Sequence, residues 1–395
     1  MTITAVMKRS LERVSVAWNQ CHIRSSPRKR GPSVGRWIPA ISAFTRVFDA
    51  LCAGMNGRDV AAAAAALLLA TGVLAGAQDA KPELSRVRLA VGGKPALFYL
   101  PLTVTERLGY FRDAGLEVEI SDFPGGARAL QALIGGSADV VAGAYDHTIQ
   151  MQAKNQPIVA VAQLGDFPGY VLAVLAGKAQ GYRSPADLKG MKIGVTAPGS
   201  STQFMAQHLM VKHGLKRDDA SFVGIGASAS AVAAVQRGEI DAIVNVDPVI
   251  NLLQSQGLIK VVADTRTLAG TRDVFGGAYP AAVLYAPRAF IEEKPRTTQA
   301  LVNALVRALK WIADRPAQEV AAVMPPDYAL GNPALYQQSV KTSLPMYSRD
   351  GRFSRAAADT AYAVLKAFDP DVGGAKVDVA ATYTNAFVEK AAAQP

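Results

Sequence analysis

Two segments of this chain, 102 residues apart, follow the same pattern. Residues 129–146 read ALQALIGGSADVVAGAYD, and residues 231–248 read AVAAVQRGEIDAIVNVDP. Each segment is an apolar helical stretch that stops at a glycine, followed by an aspartate and a short apolar strand. A repeated strand–helix–strand unit of this length predicts two similar α/β lobes, because an array of short repeats would need more copies. Two lobes with a cleft between them are typical of a protein that closes around a small molecule.

The positive charge of the chain is concentrated near its N-terminus. The formal net charge is +10, but residues 1–77 hold ten Lys and Arg against three acidic residues. The remaining residues therefore hold 32 basic and 29 acidic side chains. A nucleic-acid partner is not expected, because such a nearly balanced body has no basic stripe to contact phosphates.

The segment 55–77 has the pattern of a cleavable signal peptide. It reads MNGRDVAAAAAALLLATGVLAGA, with Arg58 before a fifteen-residue apolar run over 60–74. The small residues at 75–77 then predict cleavage before Gln78. The alternative is a membrane anchor, but the run is shorter than the roughly 20 residues that span a bilayer. We therefore expect export to the periplasm of a Gram-negative bacterium.

Residues 1–54 precede this signal, are rich in arginine and lack periodicity. Because signal peptides normally begin a chain, we interpret 1–54 as a mis-assigned extension or a disordered tail, with Met55 as the start. Both cysteines, Cys21 and Cys52, fall in this part of the chain. The mature protein would then have no disulfide, no thiol catalysis and no cysteine-ligated metal.

The mature chain alternates strands and helices, which predicts sheets flanked by helices in two lobes. We expect one lobe over 86–175 and 280–395 and the other over 176–279, with hinge strands near 170–177 and 279–286. In such sheets ligands bind beyond the carboxyl ends of the strands. The candidate ligand contacts are therefore in the loops at those ends: Phe98, Tyr99, Phe123, Gly125, Gly126, Tyr145, Asp146, His147, Gly199, Ser200, Ser201, Thr202, Ser228, Asn245 and Asp247.

Several short motifs in a fixed order carry a family resemblance. They are Pro101-Leu102 with Glu106 to Phe111, Ala114 to Val118, Phe123 to Gly126, Gly136 to Asp139, Ser184 to Gly190, Ile193 to Val195 with Gly199 to Ser201, and Gly238 to Asp241. Over 86–250 the chain resembles the substrate-binding proteins of bacterial ABC importers, in the nitrate/sulfonate/taurine group that includes binders of thiamine pyrimidine precursors. The resemblance implies two hinged lobes, with a permease and its ATPase as partners, and leaves the ligand open.

Individual site candidates allow structural interpretations as well. The run Gly199 to Thr202 follows a strand and begins a helix, so it suits an anion or an ordinary helix cap. Asp146 would either pair with a cationic group or cap its helix, and we favour the cap. Asp139 and Asp241 precede their strands on the side away from the cleft, so we expect both to be structural.

Motifs for catalysis are absent from the sequence. It has no G-x-S-x-G, no H-E-x-x-H and no Walker A motif, and the histidines are scattered. Relatives of the fold include desulfinases with a catalytic cysteine and fungal pyrimidine synthases. The cysteine-free mature chain disfavours the first, and the signal peptide disfavours the second, whose chemistry is intracellular. We expect a monomeric solute-binding protein with no catalytic residue, no metal and no cofactor.

The composition of the loops narrows the ligand class. They offer hydroxyls, glycines and aromatic rings, with only Lys94 and Arg128 at the margins. A phosphate would be expected to recruit arginine, whereas hydroxyls and backbone amides suit a singly charged group. We therefore favour an alkyl or aromatic sulfonate or carboxylate. The alternative is a cationic pyrimidine held by Tyr145 and Asp146.

Overall fold

The computed structural model describes residues 81–393 of the chain. The predicted signal peptide over 55–77 and the predicted extension over 1–54 lie outside this range. No helix within 81–393 is both long enough and apolar enough to cross a bilayer.

Ten strands of the described residues form two five-stranded sheets. Their bounds are β1 Arg86–Gly92, β2 Glu117–Phe123, β3 Val140–Ala144, β4 Ile158–Gln163, β5 Val171–Leu175, β6 Lys192–Val195, β7 Ser221–Gly224, β8 Ala242–Asn245, β9 Ile259–Asp264 and β10 Ala282–Pro287. The central strands β3, β5 and β10 are almost wholly buried and read as continuous apolar runs, as strands covered on both faces do.

The two sheets have the same topology, which confirms the fold class that the repeat predicts. The first sheet has the order β2-β1-β3-β10-β4, and the second has the order β7-β6-β8-β5-β9. In each sheet the first three strands are parallel, and the fourth strand, β10 in the first sheet and β5 in the second, is antiparallel to both of its neighbours. We call the first sheet with its helices the first lobe, and the second sheet with its helices the second lobe.

The chain crosses between the sheets twice. The first crossing lies between Gln163 and Val171, and the second lies between Asp264 and Ala282. Strand β5 therefore belongs to the second sheet, which differs from the predicted division that kept residues up to 175 in the first lobe. An apolar strand pattern does not say which sheet the strand joins, because its partners lie far away in sequence.

The helices lie on both faces of the sheets and continue to the C-terminus. The α-helices are α1 Leu100–Arg107, α2 Tyr110–Asp113, α3 Gly126–Ile134, α4 Asp146–Ala153, α5 Ser201–Lys212, α6 Ala229–Gln236, α7 Val249–Ser255, α8 Leu268–Phe275, α9 Arg288–Glu293, α10 Pro295–Ala313, α11 Ala317–Val323, α12 Pro333–Ser343, α13 Arg355–Phe368, α14 Pro370–Gly374 and α15 Ala386–Ala392. Short 3₁₀ helices span Leu97–Tyr99, Ala176–Lys178, Pro185–Leu188, Pro326–Ala329, Leu344–Met346 and Val379–Thr382.

The two repeated aspartates hold equivalent strands together. The Asp139 carboxylate accepts the backbone N–H of Arg88 at 2.8 Å, which ties the start of β3 to β1. The Asp241 carboxylate accepts the backbone N–H of Lys192 at 2.9 Å, which ties the start of β8 to β6. Both aspartates thus satisfy a strand donor at the edge away from the cleft, and their predicted structural role is confirmed.

The C-terminal helices contact both lobes. Helix α10 packs against α1 and β4 of the first lobe, whereas α13 packs against α5 of the second. The rings of Phe368 on α13 and Phe204 on α5 lie 5.9 Å apart. One apolar core therefore runs continuously from the first sheet to one face of the second sheet.

Candidate functional site

A small cavity lies between the carboxyl ends of the two sheets. It has a volume of about 30 Å³, which is room for a few water-sized groups. Six of the predicted contacts line it, namely Phe98, Tyr99, Gly126, Ser200, Ser201 and Thr202. The structure therefore brings the 3₁₀ turn after β1, the start of α3 and the start of α5 together at one site.

Two helix N-termini face each other across this cavity. Helix α3 begins at Gly126 in the first lobe, and α5 begins at Ser201 in the second. The Ala127 N–H of α3 donates to the Ser200 Oγ at 3.0 Å, which joins the two lobes directly. The first amides of a helix have no partner within it, so this end of each helix suits an acceptor atom of a ligand.

Glycines let the backbones approach closely here. A Cβ on Gly92 would lie 2.3 Å from the carbonyl carbon of Gly125, so only glycine at the end of β1 admits the loop before α3. A Cβ on Gly125 would lie 2.8 Å from the carbonyl carbon of Thr196 in the second lobe. The first close approach shapes one lobe, whereas the second is a contact between the lobes.

Asp146 connects the lobes behind the cavity. It is 1% exposed, and its Oδ1 accepts the Ser201 hydroxyl at 2.7 Å while its Oδ2 accepts the Tyr279 hydroxyl at 3.2 Å. Burial raises the pKa of Asp146, and the neighbouring His147 and both hydroxyls offset part of this increase. The expected capping role is not what the structure shows, because Tyr145 is the N-cap residue of α4 and no side chain caps that helix.

His147 is fully buried beside this bridge. Its Nδ1 lies 3.4 Å from the Tyr285 hydroxyl, and its ring makes an edge contact with Phe204 of the second lobe at 6.1 Å. Burial lowers the pKa of His147, which favours the neutral imidazole. The side chain lies behind Gly126, since a Cβ there would be 3.2 Å from the His147 Cε1.

Tyr145 points away from the cavity. Its hydroxyl bonds the Thr382 hydroxyl, and its ring packs against Phe353 and Tyr383 of the C-terminal segment. Burial raises the pKa of Tyr145 well above its ordinary value, so its phenol stays protonated. The structure therefore gives Tyr145 a packing role and does not bring it to the other predicted contacts.

Asn245 and Asp247, the predicted contacts at the end of β8, shape loops of the second lobe. The Asn245 side-chain amide donates to the Gly226 carbonyl at 2.9 Å. The Asp247 Oδ1 accepts the Asn251 N–H at 3.0 Å, and its Oδ2 lies 3.5 Å from Arg266. Burial raises the pKa of Asp247 to about 6, with Arg266 acting against the increase. Neither side chain lines the cavity.

The remaining predicted residues lie at its margins. Phe123 ends β2 and is half-buried, Ser228 precedes α6 and makes no capping bond, and the Gly199 N–H donates to Gln203 at 2.8 Å. These positions shape the loops around the cavity and are absent from its lining.

Sequence reasoning missed several lining residues. Tyr170 stacks on Phe98 with ring centroids 5.4 Å apart and forms one wall. The other missed residues are Gly92, Ala96, Ala144, Thr196, Ala227 and Val246. Gly92 and Ala144 are the last residues of β1 and β3, and Thr196 and Val246 come directly after β6 and β8. The position of each at the end of a strand was therefore the available signal. Tyr170 precedes its strand, and no such signal pointed to it.

Comparison with known proteins identifies the class and then the family. A structure from Bordetella bronchiseptica RB50 is 50% identical, with a TM-score of 0.77, over 79% of this chain and 98% of that one. The alkanesulfonate-binding protein SsuA from Xanthomonas axonopodis pv. citri, bound to MOPS, has 21% identity and a TM-score of 0.60 over 77% of this chain and 99% of its own. The fold is therefore that of the two-lobed periplasmic binding proteins.

The sequence match gives the family. Residues 99–319 match the family described as NMT1/THI5 like, and this chain belongs to that family. A curated relative, the 4-amino-5-hydroxymethyl-2-methylpyrimidine phosphate synthase of Aspergillus parasiticus, is 24% identical over 74% of this chain and 84% of its own length. The resemblance read from the sequence motifs is thereby confirmed.

Proposed function

We propose that this protein is the solute-binding component of an ABC importer, which captures a small solute between its lobes and delivers it to a permease. The observation that carries the proposal is the cavity between two facing helix N-termini, next to hydrogen bonds that join the lobes. A ligand that touches both lobes favours the closed form over the open form.

The hinge in this proposal consists of the two connections that cross between the sheets. Strands β5 and β10 are the first strands after these crossings, so rotation of the lobes is concentrated in the connections 164–170 and 265–281. We place the division between the lobes at these connections.

The lining supports a sulfonate or carboxylate as the solute. The side chains that line the cavity are hydroxyl-bearing, aromatic or aliphatic, and none of the described lining residues is a lysine or an arginine. Helix amides and hydroxyls stabilise a singly charged oxygen-rich group without a formal positive charge. Phe98 and Tyr170 provide a flat apolar wall for the body of such a solute.

A cationic pyrimidine is the second candidate. The buried carboxylate of Asp146 lies directly behind Ser201 of the cavity and would attract a protonated ring. The name of the Aspergillus relative, a pyrimidine phosphate synthase, agrees with this candidate. An enzyme on the same fold is the remaining alternative, and it predicts turnover that His147→Ala abolishes.

We also propose that the protein acts in the periplasm as a monomer, after removal of the signal peptide over 55–77. The periplasmic binding proteins that share its fold support this location. The partners would be the permease and the ATPase subunit of the importer.

A thermal-shift screen tests the function, because a ligand that binds only the native state raises the unfolding midpoint. The screen would contain sulfonates, carboxylates, nitrate and pyrimidines. We expect stabilisation by one class, and small-angle scattering should show compaction on addition of that compound. Binding without compaction would contradict the closure mechanism. Stabilisation by pyrimidines alone, lost in Asp146→Asn, would contradict the anion proposal.

A further inference from the structure

We propose that Asp146 turns Ser201 into a hydrogen-bond acceptor toward the cavity, so that the solute must carry an N–H or O–H donor in addition to an acceptor group. This inference rests on the proposed solute-binding function and specifies which solutes the same cavity selects. Asp146 is in this sense a positioning residue, because it acts through Ser201.

The hydrogen bond of Ser201 decides whether its hydroxyl presents a proton or a lone pair to the cavity. Ser201 lines the cavity, is 5% exposed, and donates its hydroxyl proton to the Asp146 Oδ1 at 2.7 Å. A serine hydroxyl has one proton and two lone pairs. A lone pair therefore remains for the cavity, while no proton does.

The surroundings of Asp146 favour this direction of donation. Its second oxygen accepts the Tyr279 hydroxyl at 3.2 Å, so each carboxylate oxygen receives one hydroxyl proton. This polarity requires Asp146 to be ionised, a form that burial disfavours and that the two donated hydroxyl protons favour. An ionised carboxylate has only acceptor capacity, so neither hydroxyl can then be turned around. In the described part of the chain no Lys or Arg forms an ion pair with Asp146, and the two hydroxyls are its charge-stabilising partners.

The neighbouring serine has the opposite polarity. The Ser200 Oγ accepts the Ala127 N–H at 3.0 Å, and its own proton stays available to the cavity that it lines. Two adjacent residues at the start of α5 thus present one donor and one acceptor. A ligand with only acceptor atoms, such as a plain alkanesulfonate, would satisfy Ser200 and oppose Ser201, whereas a solute with both groups satisfies each of them.

The inferred solute class is therefore a small molecule that combines an oxygen or ring-nitrogen acceptor with an amino, amide or hydroxyl donor. Amino-substituted sulfonates and carboxylates belong to this class, as do aminopyrimidines. The test compares compounds in which an amino group replaces a methyl group of similar size. The probe pairs are 3-aminopropane-1-sulfonate with butane-1-sulfonate, 3-aminopropanoate with butanoate, and 4-aminopyrimidine with 4-methylpyrimidine.

Calorimetric titration of the full mature protein with both members of each pair gives the ratio of their dissociation constants, which measures the preference for the amino compound. We expect at least tenfold tighter binding of the amino compound in every pair that binds. In Asp146→Asn the side-chain amide can donate to Ser201, which then presents its proton to the cavity, so the preference should fall about tenfold. Ser201→Ala should also abolish the preference. Asp139→Asn is the matched control, because Asp139 lies at the opposite end of β3 from Asp146. This variant should keep the preference for the amino compound.

The outcomes separate the two proposals. Equal binding within a pair by the unmodified protein would overturn the polarity of Ser201. Loss of the preference in Asp146→Asn with its retention in Ser201→Ala would also overturn it, because the carboxylate would then attract the ligand directly. Binding of no member of any pair, together with no hit among the sulfonates, carboxylates, nitrate and pyrimidines of the screen, would instead overturn the solute-binding function itself.

Discussion

Gly125→Ala should block closure of the lobes without harming either lobe. Gly125 has φ −167° and ψ 168°, an extended backbone that alanine adopts freely. Its added Cβ would lie 2.8 Å from the Thr196 carbonyl carbon and 2.9 Å from the Ala197 backbone nitrogen. An ordinary contact begins at 3.4 Å, so the lobes must separate by about 0.6 Å at this point.

The size of the effect follows from this overlap. Overpacking against backbone atoms costs about 1–3 kcal/mol, and here the closed form alone carries the cost. Because the open form is unaffected, a penalty of this size corresponds to roughly 5- to 150-fold weaker binding of a solute that needs closure. The hydrogen bond from the Ala127 N–H to Ser200 should also lengthen, since it crosses the same gap.

Calorimetry and small-angle scattering measure these effects with the best-stabilising compound of the screen. We expect weaker binding, less compaction and an unchanged or slightly raised midpoint of thermal unfolding in Gly125→Ala. Gly177→Ala is the matched control, because a Cβ at Gly177 would meet nothing within 4 Å. If Gly125→Ala binds and compacts like the unmodified protein, the close approach between the lobes is not part of the bound state.

Three further predictions concern stability and processing. Asp139→Ala should lower the free energy of unfolding by about 1–2 kcal/mol in denaturant titrations, because the Arg88 N–H loses its acceptor, and solute affinity should not change. Burial acts to raise the pKa of Glu83, but donors from Thr297 and its neighbour lower it from 4.5 to about 2. Stability should therefore fall as the pH drops from 4.5 to 2, and Glu83→Gln should remove this dependence. Sequencing of the exported protein should find Gln78 first, and a mature chain that begins before residue 60 would contradict the predicted signal.

Local patterns predicted most of the secondary structure. The sequence has an amphipathic period over 296–314 and 354–368, and the structure has helices at Pro295–Ala313 and Arg355–Phe368. The repeat predicted two lobes of equal topology, because each copy contains the strands and the helix of one unit. The sheet that β5 joins was less accessible, since an apolar strand pairs equally well in either sheet until its partners are known.

The site was predicted in part for the same reason. Ser200 and Ser201 follow a strand and begin a helix, and this local arrangement brought both to the cavity. Tyr145 occupies an equivalent position, yet its hydroxyl meets Thr382, which is 237 residues further along the chain. The bond from Ser201 to Asp146 likewise joins residues 55 apart. Contacts of this range depend on how the lobes pack, which local periodicity does not describe.

The place of β10 in the first sheet also constrains the order in which the chain can fold. In the first sheet β10 lies between β3 and β4, so β3 and β4 lack a common partner until residues 282–287 have been synthesised. A shorter nascent chain would expose two unpaired strand edges, which favour aggregation. Pairing across such long sequence separations is also slow. We therefore expect the first lobe to acquire its structure late in synthesis, and fragments that end before residue 287 to leave its sheet incomplete.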